Sequence, residues 1–275
     1  MIESRKSKIR IFLKKYWNVI NYRTLISVII SIVATAMAYH YQLYFNLDLT
    51  LISVAVVFPL VFTLGSAFQR REKALEHLGR AKGALSAILF CFSFAKKLPQ
   101  PDKEQIYELI KEIKRQLVAF LLSKNNDKTA LNKSIENIQI FMTEKQDLLG
   151  RSLALKVYRL MRDVIMGIEN SVAIKIHETP RSVRAYCELF IYVFPFFYAP
   201  TLIYHIGIYD EQVIGPGHQE GISHLDNPFT FLVFMLNMVL SFFLITLYNI
   251  QEQIEDPFDQ DGLDDIHLKN YLLDF

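Results

Sequence analysis

Four long apolar runs interrupt an otherwise mixed chain, roughly at Thr24 to Tyr41, Leu49 to Phe68, Tyr186 to Ile208 and Phe229 to Ile250. No Lys or Arg falls inside them, and each approaches the about 20 residues that a helix needs to cross a hydrocarbon core. The pattern therefore predicts four spanning helices. Pro59, Pro195 and Pro200 lie inside the second and third runs. Proline is tolerated within a span when neighbouring helices cover the freed backbone, so these spans are expected to pack against others.

Between the second and third runs the period changes. In KEQIYELIKEIKRQLVAFLLS, residues Ile106, Leu109, Ile110, Ile113, Leu117, Phe120 and Leu121 fall on one helical face. Pro99 and Pro101 mark its start, with Asp102 as the expected N-cap. SKNNDKT reads as a polar turn, followed by a second helix from about Leu131 to Lys145. A third, from about Arg151 to Ile176, carries the stripe Leu153, Val157, Leu160, Met161, Val164, Ile165 and Ile168. The fold class is thus all-α, a polytopic membrane protein with a helical bundle outside the membrane.

Charge orients the spans. Lys and Arg crowd the segment before the first run, the exit of the second (QRREK) and the entry to the third (PRSVR). The connections Gln42 to Asp48 and Tyr209 to Pro228 contain neither. The positive-inside rule places both termini and the middle segment in the cytoplasm, with a cell membrane as the location. The basic start is followed by an apolar run too long for a signal-peptide core, so it is expected to stay as the first span. Five segments result: a basic N-terminal segment (1–22), spans one and two (23–70), a cytosolic helical region (71–183), spans three and four (184–250, outer loop 209–227) and an acidic tail (251–275).

Composition adds exclusions. Hydrophobic residues make up 52% of 275, and a net charge of +2 gives no nucleic-acid signature. Cys91 and Cys187 stand far apart in apolar surroundings and read as single buried thiols. No phosphate-cradling glycine loop, zinc-protease pair or nucleophile elbow is present, and no enzyme activity is expected. His205, His218 and His224 lie toward the outer side without metal spacing. DPFDQDGLDD lacks the alternating oxygen ligands of an EF-hand.

Two features remain. In the second run, Val54, Phe58 and Phe62 are spaced by four, with Ser66 one turn further on. As packing this is an ordinary apolar stripe. Around a lumen it is a set of apolar rings. The second feature is NIQEQIEDPFDQDGLDDI, an acidic cluster around a rigid Pro-Phe at the exit of span four.

Taken together these residues resemble the bestrophin family of ion channels. FTLGSAFQR resembles the family's span-two pattern through Phe62, Ser66, Ala67, Phe68 and Arg70, although Gln69 replaces an acid. EQIEDPFDQDGLDD resembles its Pro-Phe acidic signature, and the four spans with a cytosolic insert match its layout. The resemblance implies a homopentamer in lipid, with span two lining one pore that conducts anions such as chloride. Counting back from Arg70 puts the family's hydrophobic neck on Val54, Phe58 and Phe62. Anchoring on Pro59 and Leu64-Gly65 puts it on Phe58, Phe62 and Ser66. Arg70, Arg71 and Lys73 are the implied cytoplasmic mouth, and Met161, Val164 and Ile165 are candidates for a second constriction. The tail implies a candidate calcium clasp from the carbonyls of Gln253 and Asp256 and the carboxylates of Asp261 and Asp264; Gly262 and Leu263 interrupt the family's acidic run. Without calcium, Pro257 and Phe258 would lock the tail against a neighbouring subunit. A cation-selective member of the same family is an alternative. Energy-coupling stator subunits of the MotA or ExbB type share the topology but lack the tail motif. A non-conducting scaffold would use the stripe for packing alone.

Overall fold

The structure is a computed structural model that describes residues 20–177, 180–214, 228–260, 262 and 264–273. The basic segment before residue 20, residues 215–227 of the expected outer loop with His218 and His224, and Asp261 lie outside the described residues. The described residues form helices α1 (Tyr22–His40), α2 (Leu49–Ser93), α3 (Gln100–Leu122), α4 (Thr129–Glu144), α5 (Gln146–Ile176), α6 (Arg181–Ile214), α7 (Pro228–Glu255) and α8 (Leu268–Leu273). Four of them, α1, α2, α6 and α7, are long and apolar enough to cross a membrane. The chain divides into two compact units, one comprising residues 1–67 and 179–252, the other 68–178 and 253–275.

The first unit contains α1, the apolar half of α2, α6 and most of α7. Asn21 caps α1, its side chain accepting from the backbone N–H groups of Arg23 and Thr24. The other end closes in a Schellman arrangement, with Leu43 N–H on the Ala38 carbonyl and Gln42 N–H on that of Tyr39. Gln42 takes the left-handed conformation (φ 51°) where glycine is usual. Val56 and Leu60 of α2 pack with Cys187, Ile191 and Phe194 of α6 and Leu244, Ile245 and Tyr248 of α7.

A polar seam joins α1 to α7. Asn237 Nδ2 donates to the Ser31 carbonyl (3.2 Å) and to Thr35 Oγ1 (2.8 Å). Twelve residues later on α7, Asn249 Nδ2 donates to Thr24 Oγ1 (3.0 Å) and Asn21 Oδ1 (3.1 Å). These bonds fix an antiparallel register, and Thr24, Ser27, Ser31 and Thr35 all face inward on α1.

The second unit is built on the stripes that the sequence displays. Ile106, Ile110, Ile113, Leu117 and Leu121 of α3 close over Leu131, Ile138 and Phe141 of α4, Val157, Val164 and Ile168 of α5, and Leu78, Leu85 and Ile88 of α2. Helix α3 begins at Gln100, earlier than expected, because Pro101 sits in the first turn where a missing N–H is harmless. Asp102 is therefore inside the helix, buried and ion-paired with Lys145 (2.9 Å), not an N-cap. Gly150 (φ 69°) breaks the path between α4 and the main run of α5, close to the expected start at Arg151. Gly167 of α5 lies so close to α2 that a Cβ there would meet the His77 carbonyl at 2.7 Å.

Candidate functional site

Helix propensity carries α2 well past its apolar part. The helix runs 45 residues without a break, so QRREK marks a change of surroundings and not a helix end. Its apolar stretch is the least covered by its own chain. Of the most apolar window, 17% is buried, against 33%, 39% and 39% in α1, α6 and α7. Val56, Leu60 and Ala67 face the core, whereas Val54 (55% exposed), Phe58 (59%) and Phe62 (59%) face outward. Ser66 is also exposed. The Phe58 and Phe62 rings meet edge to face, their centroids 4.3 Å apart at 64°. Each step of four residues advances about 6 Å along the helix and drifts about 40° around it. Three successive members therefore share one face more closely than all four do.

The helices of the first unit are tied by charge at the end that holds the start of α1. Arg23 pairs with Glu252 at 2.7 Å, and its guanidinium lies 5.9 Å from the centre of the Tyr248 ring. Tyr248 Oη donates to Glu188 (3.4 Å), and Thr63 Oγ1 donates to Gln251 (3.2 Å). Sequence reasoning missed this network, although the inward charge bias already set Arg23 and Glu252 on the same side.

The basic residues after the apolar stretch belong to the second unit and are engaged there. Arg70 donates to the carbonyls of Ile174 and His177 (2.5 Å to the latter), which are the last acceptors of α5. A cation at a helix C-terminus meets both unsatisfied carbonyls and the negative end of the macrodipole. Lys175 does the same for α3 through the carbonyls of Phe120 and Ser123. Arg71 donates to the Asp264 carbonyl (2.5 Å) and to Glu72 (2.8 Å), and Lys73 is exposed. Among the constriction candidates, Met161 and Val164 fill the bundle core and Ile165 points outward, as the 100° step of a helix requires.

The tail folds back as a closed loop. Ile266 N–H donates to the Pro257 carbonyl (3.0 Å), Phe258 N–H to Asp256 Oδ1 (3.0 Å), and Gln260 Nε2 to the Ile266 carbonyl (2.9 Å). Phe258 is 1% exposed and sits in the core of its own unit, so burying it requires no second subunit. Gly262 is needed by close approach: a Cβ there would stand 2.5 Å from Asp265 Oδ1 and 2.8 Å from the Gln253 carbonyl. Its N–H instead donates to Asp265 Oδ2 (2.8 Å). Burial, together with the neighbouring Asp259, pushes the Asp265 carboxyl up to about 7. Beyond the loop, α8 is anchored by Leu268 and Leu272 in the core and by Lys82, which donates to the Tyr271 carbonyl and lies 4.9 Å from its ring centre.

Of the expected clasp, Asp261 lies outside the described residues, and the Gln253 carbonyl stands against Gly262 close to Asp265 Oδ1. Arg71 takes the Asp264 carbonyl and Phe258 N–H takes Asp256 Oδ1, neither of them an atom of the expected clasp, and the Asp265 carboxyl is directed at Gly262 N–H. Among the described residues no three His, Cys, Asp or Glu side chains lie close enough together to hold a metal ion.

The sequence matches no protein-family model and no curated protein. Solved structures do match. A bacterial bestrophin homologue from Klebsiella pneumoniae, in a tryptophan-to-alanine variant, superposes with a TM-score of 0.73 at 13% identity over 91% of this chain and 92% of that one. Another structure of that homologue gives 0.70 at 14% identity, over 91% and 93%. The chain has the fold of the bacterial bestrophin homologues.

Proposed function

We propose that this chain is the subunit of a bestrophin-like channel, a homopentamer in a cell membrane that passes anions such as chloride down their gradient. The observation that carries the reading is the outward Phe58–Phe62 pair on α2, the spanning helix that its own chain covers least. A helix left bare in this way is completed either by lipid or by further copies. Phe58 and Phe62, with Val54 or Ser66 as the third member, would form apolar rings that exclude ions when narrow and dewet. Phenyl edges carry partial positive charge, so rings presenting edges to the lumen favour a passing anion without a fixed cation. Pro59 sits between the two phenylalanines, and its missing N–H leaves a carbonyl one turn back free to adjust.

Arg70 and Arg71 act in this scheme chiefly as fasteners of the cytosolic helices and the tail. Lys73 is the member of the trio whose charge is offered to solvent. The tail gates through the protein's own contacts, with Pro257 and Phe258 as its fixed point.

The test is recording from purified protein in planar bilayers under a salt gradient, for wild type and for Phe58→Ala with Phe62→Ala. An anion reversal potential and a larger conductance in the double variant are expected. Unchanged currents in the variant overturn the neck, and a cation reversal potential overturns the selectivity. No current in any condition favours the stator or scaffold. Repeating the recording with calcium chelated, and with Asp261→Ala, tests the clasp: a loss of current in both supports it, and unchanged gating overturns it.

A further inference from the structure

Helices α2 and α5 meet where Gly167 faces His77 and Ala81, and beside that contact they leave a groove of about 680 Å³. Ala87 of α2 and Leu160 and Met166 of α5 give it apolar walls, and two arginines, Arg80 and Arg162, line it as well. Gly83 is part of its α2 side, with nothing within 4 Å of an added Cβ. A glycine inside a helix costs about 1 kcal/mol relative to alanine, and no contact within the chain requires this one. The space over Gly83 is clear of the chain's own atoms.

These arginines differ from the pair nearer the apolar stretch. Arg70 and Arg71 are fastened to backbone carbonyls, whereas Arg80 makes no hydrogen bond or ion pair among the described residues. The Arg162 side chain is 74% exposed and reaches its chain neighbour Asp163 at 3.8 Å. From Phe62 the exposed positions of α2 recur every three or four residues, through Ser66, Gln69, Lys73 and Glu76 to Arg80. That distance is about five helical turns, so Arg80 shares the Phe62 face of one unbroken helix. Along this stripe and groove, Lys73, Arg80 and Arg162 outnumber the two carboxylates, Glu76 and Asp163.

We infer that the groove concentrates small hydrated anions, chloride among them, on the cytosolic side of the pore, with Arg80 and Arg162 as the residues that attract them. The inference rests on the channel reading above. A cleft with an excess of one charge and apolar walls focuses the field and raises the local concentration of counter-ions. At about 30 Å³ per water the groove has room for an anion with its hydration shell. Loose holding of this kind suits conduction, since an ion must leave as readily as it enters. Guanidinium stays protonated at any physiological pH, so the attraction does not titrate away. Salt does weaken it: the screening length falls from about 10 Å at 0.1 M to about 3 Å at 1 M.

The test is conductance of the full-length channel in planar bilayers, recorded at about 0.1 M and about 1 M chloride. Arg80→Gln and Arg162→Gln are each expected to lower it about two-fold or more at the lower concentration and to match wild type at the higher. Arg159→Gln removes an exposed α5 arginine outside the groove and is expected to match wild type at both. Groove variants equal to wild type in dilute salt overturn the inference and leave the channel reading standing. A fall of the same size at both concentrations marks a change of structure or of packing against a second copy, and also overturns it. So does an equal loss in Arg159→Gln, which would assign the effect to the whole surface. A wild-type protein that passes no anions removes the channel reading and this inference together.

Discussion

Gly167 and Gly83 are both helical glycines in the second unit, and the structure gives them opposite responses to the same change. A methyl added at Gly167 would stand 2.7 Å from the His77 carbonyl oxygen and 2.9 Å from both Ala81 N and Ala81 Cβ. Carbon–oxygen contacts close at about 3.3 Å, so the overlap is roughly 0.6 Å. Most of the obstruction is α2 backbone, which has no rotamer to escape into. The helices must part, and overpacking of this kind costs about 1–3 kcal/mol. Alanine returns about 1 kcal/mol of helix propensity, too little to reverse the sign at the upper end of that range. Gly83 of α2 has nothing within 4 Å of the added atom, so Gly83→Ala keeps the propensity gain alone. Purified variants are compared by thermal unfolding in detergent, where 1 kcal/mol moves Tm by about 2–4 °C at this size. The net loss of about 0–2 kcal/mol should lower the Tm of Gly167→Ala by up to about 8 °C, and Gly83→Ala should melt slightly above wild type. A Gly167→Ala protein that melts above wild type, as Gly83→Ala is expected to, refutes the close packing of α5 on α2.

Phe258→Ala should destabilise the second unit by about 3–5 kcal/mol, the usual loss for a buried phenylalanine, and expose the tail to limited proteolysis; an unaltered cleavage pattern contradicts the packing. Arg70→Lys keeps the charge but not the fork that meets two carbonyls, so it should lose stability almost as far as Arg70→Gln does. If thermal unfolding shows the lysine variant equal to wild type, Arg70 serves as charge alone. Asp265 ionises less readily folded (about 7) than unfolded (3.8), so its contribution is full below pH 3.8 and fades as pH rises through 7. The protection factors of residues 257–266, corrected for the intrinsic pH dependence of amide exchange, should therefore fall across that interval, and Asp265→Asn should flatten the dependence.

Much of this was legible along the chain because burial in a helix repeats with the helix. Every member of the α3 stripe is buried or half-buried as its spacing requires. The same rule separates Val164 from Ile165, which adjacent positions in a hydrophobic list conceal. The length of α2 was not legible, since charged residues end a membrane run without ending a helix. Gly262 reads as an interruption of an acidic run; only the fold shows that the Gln253 carbonyl and Asp265 leave no room for a side chain. The outward face of α2 was readable as a stripe, but its poor coverage by the chain was not, because coverage depends on contacts distant in sequence. The Arg23–Glu252 pair is of the same kind, its partners lying at the two ends of the first unit's sequence.

The seam also imposes an order of events during synthesis. Asn237 and its partner Thr35 are 202 residues apart, and Arg23 and Glu252 are separated by 229. At roughly 5–20 residues per second, the first span waits about 10–40 s for the last one. Throughout that interval Ser27, Ser31 and Thr35 face lipid, a lateral neighbour or the insertion machinery. A nascent chain halted after α6 would keep its first span in that state, a substrate for membrane quality control, and the emergence of α7 releases it.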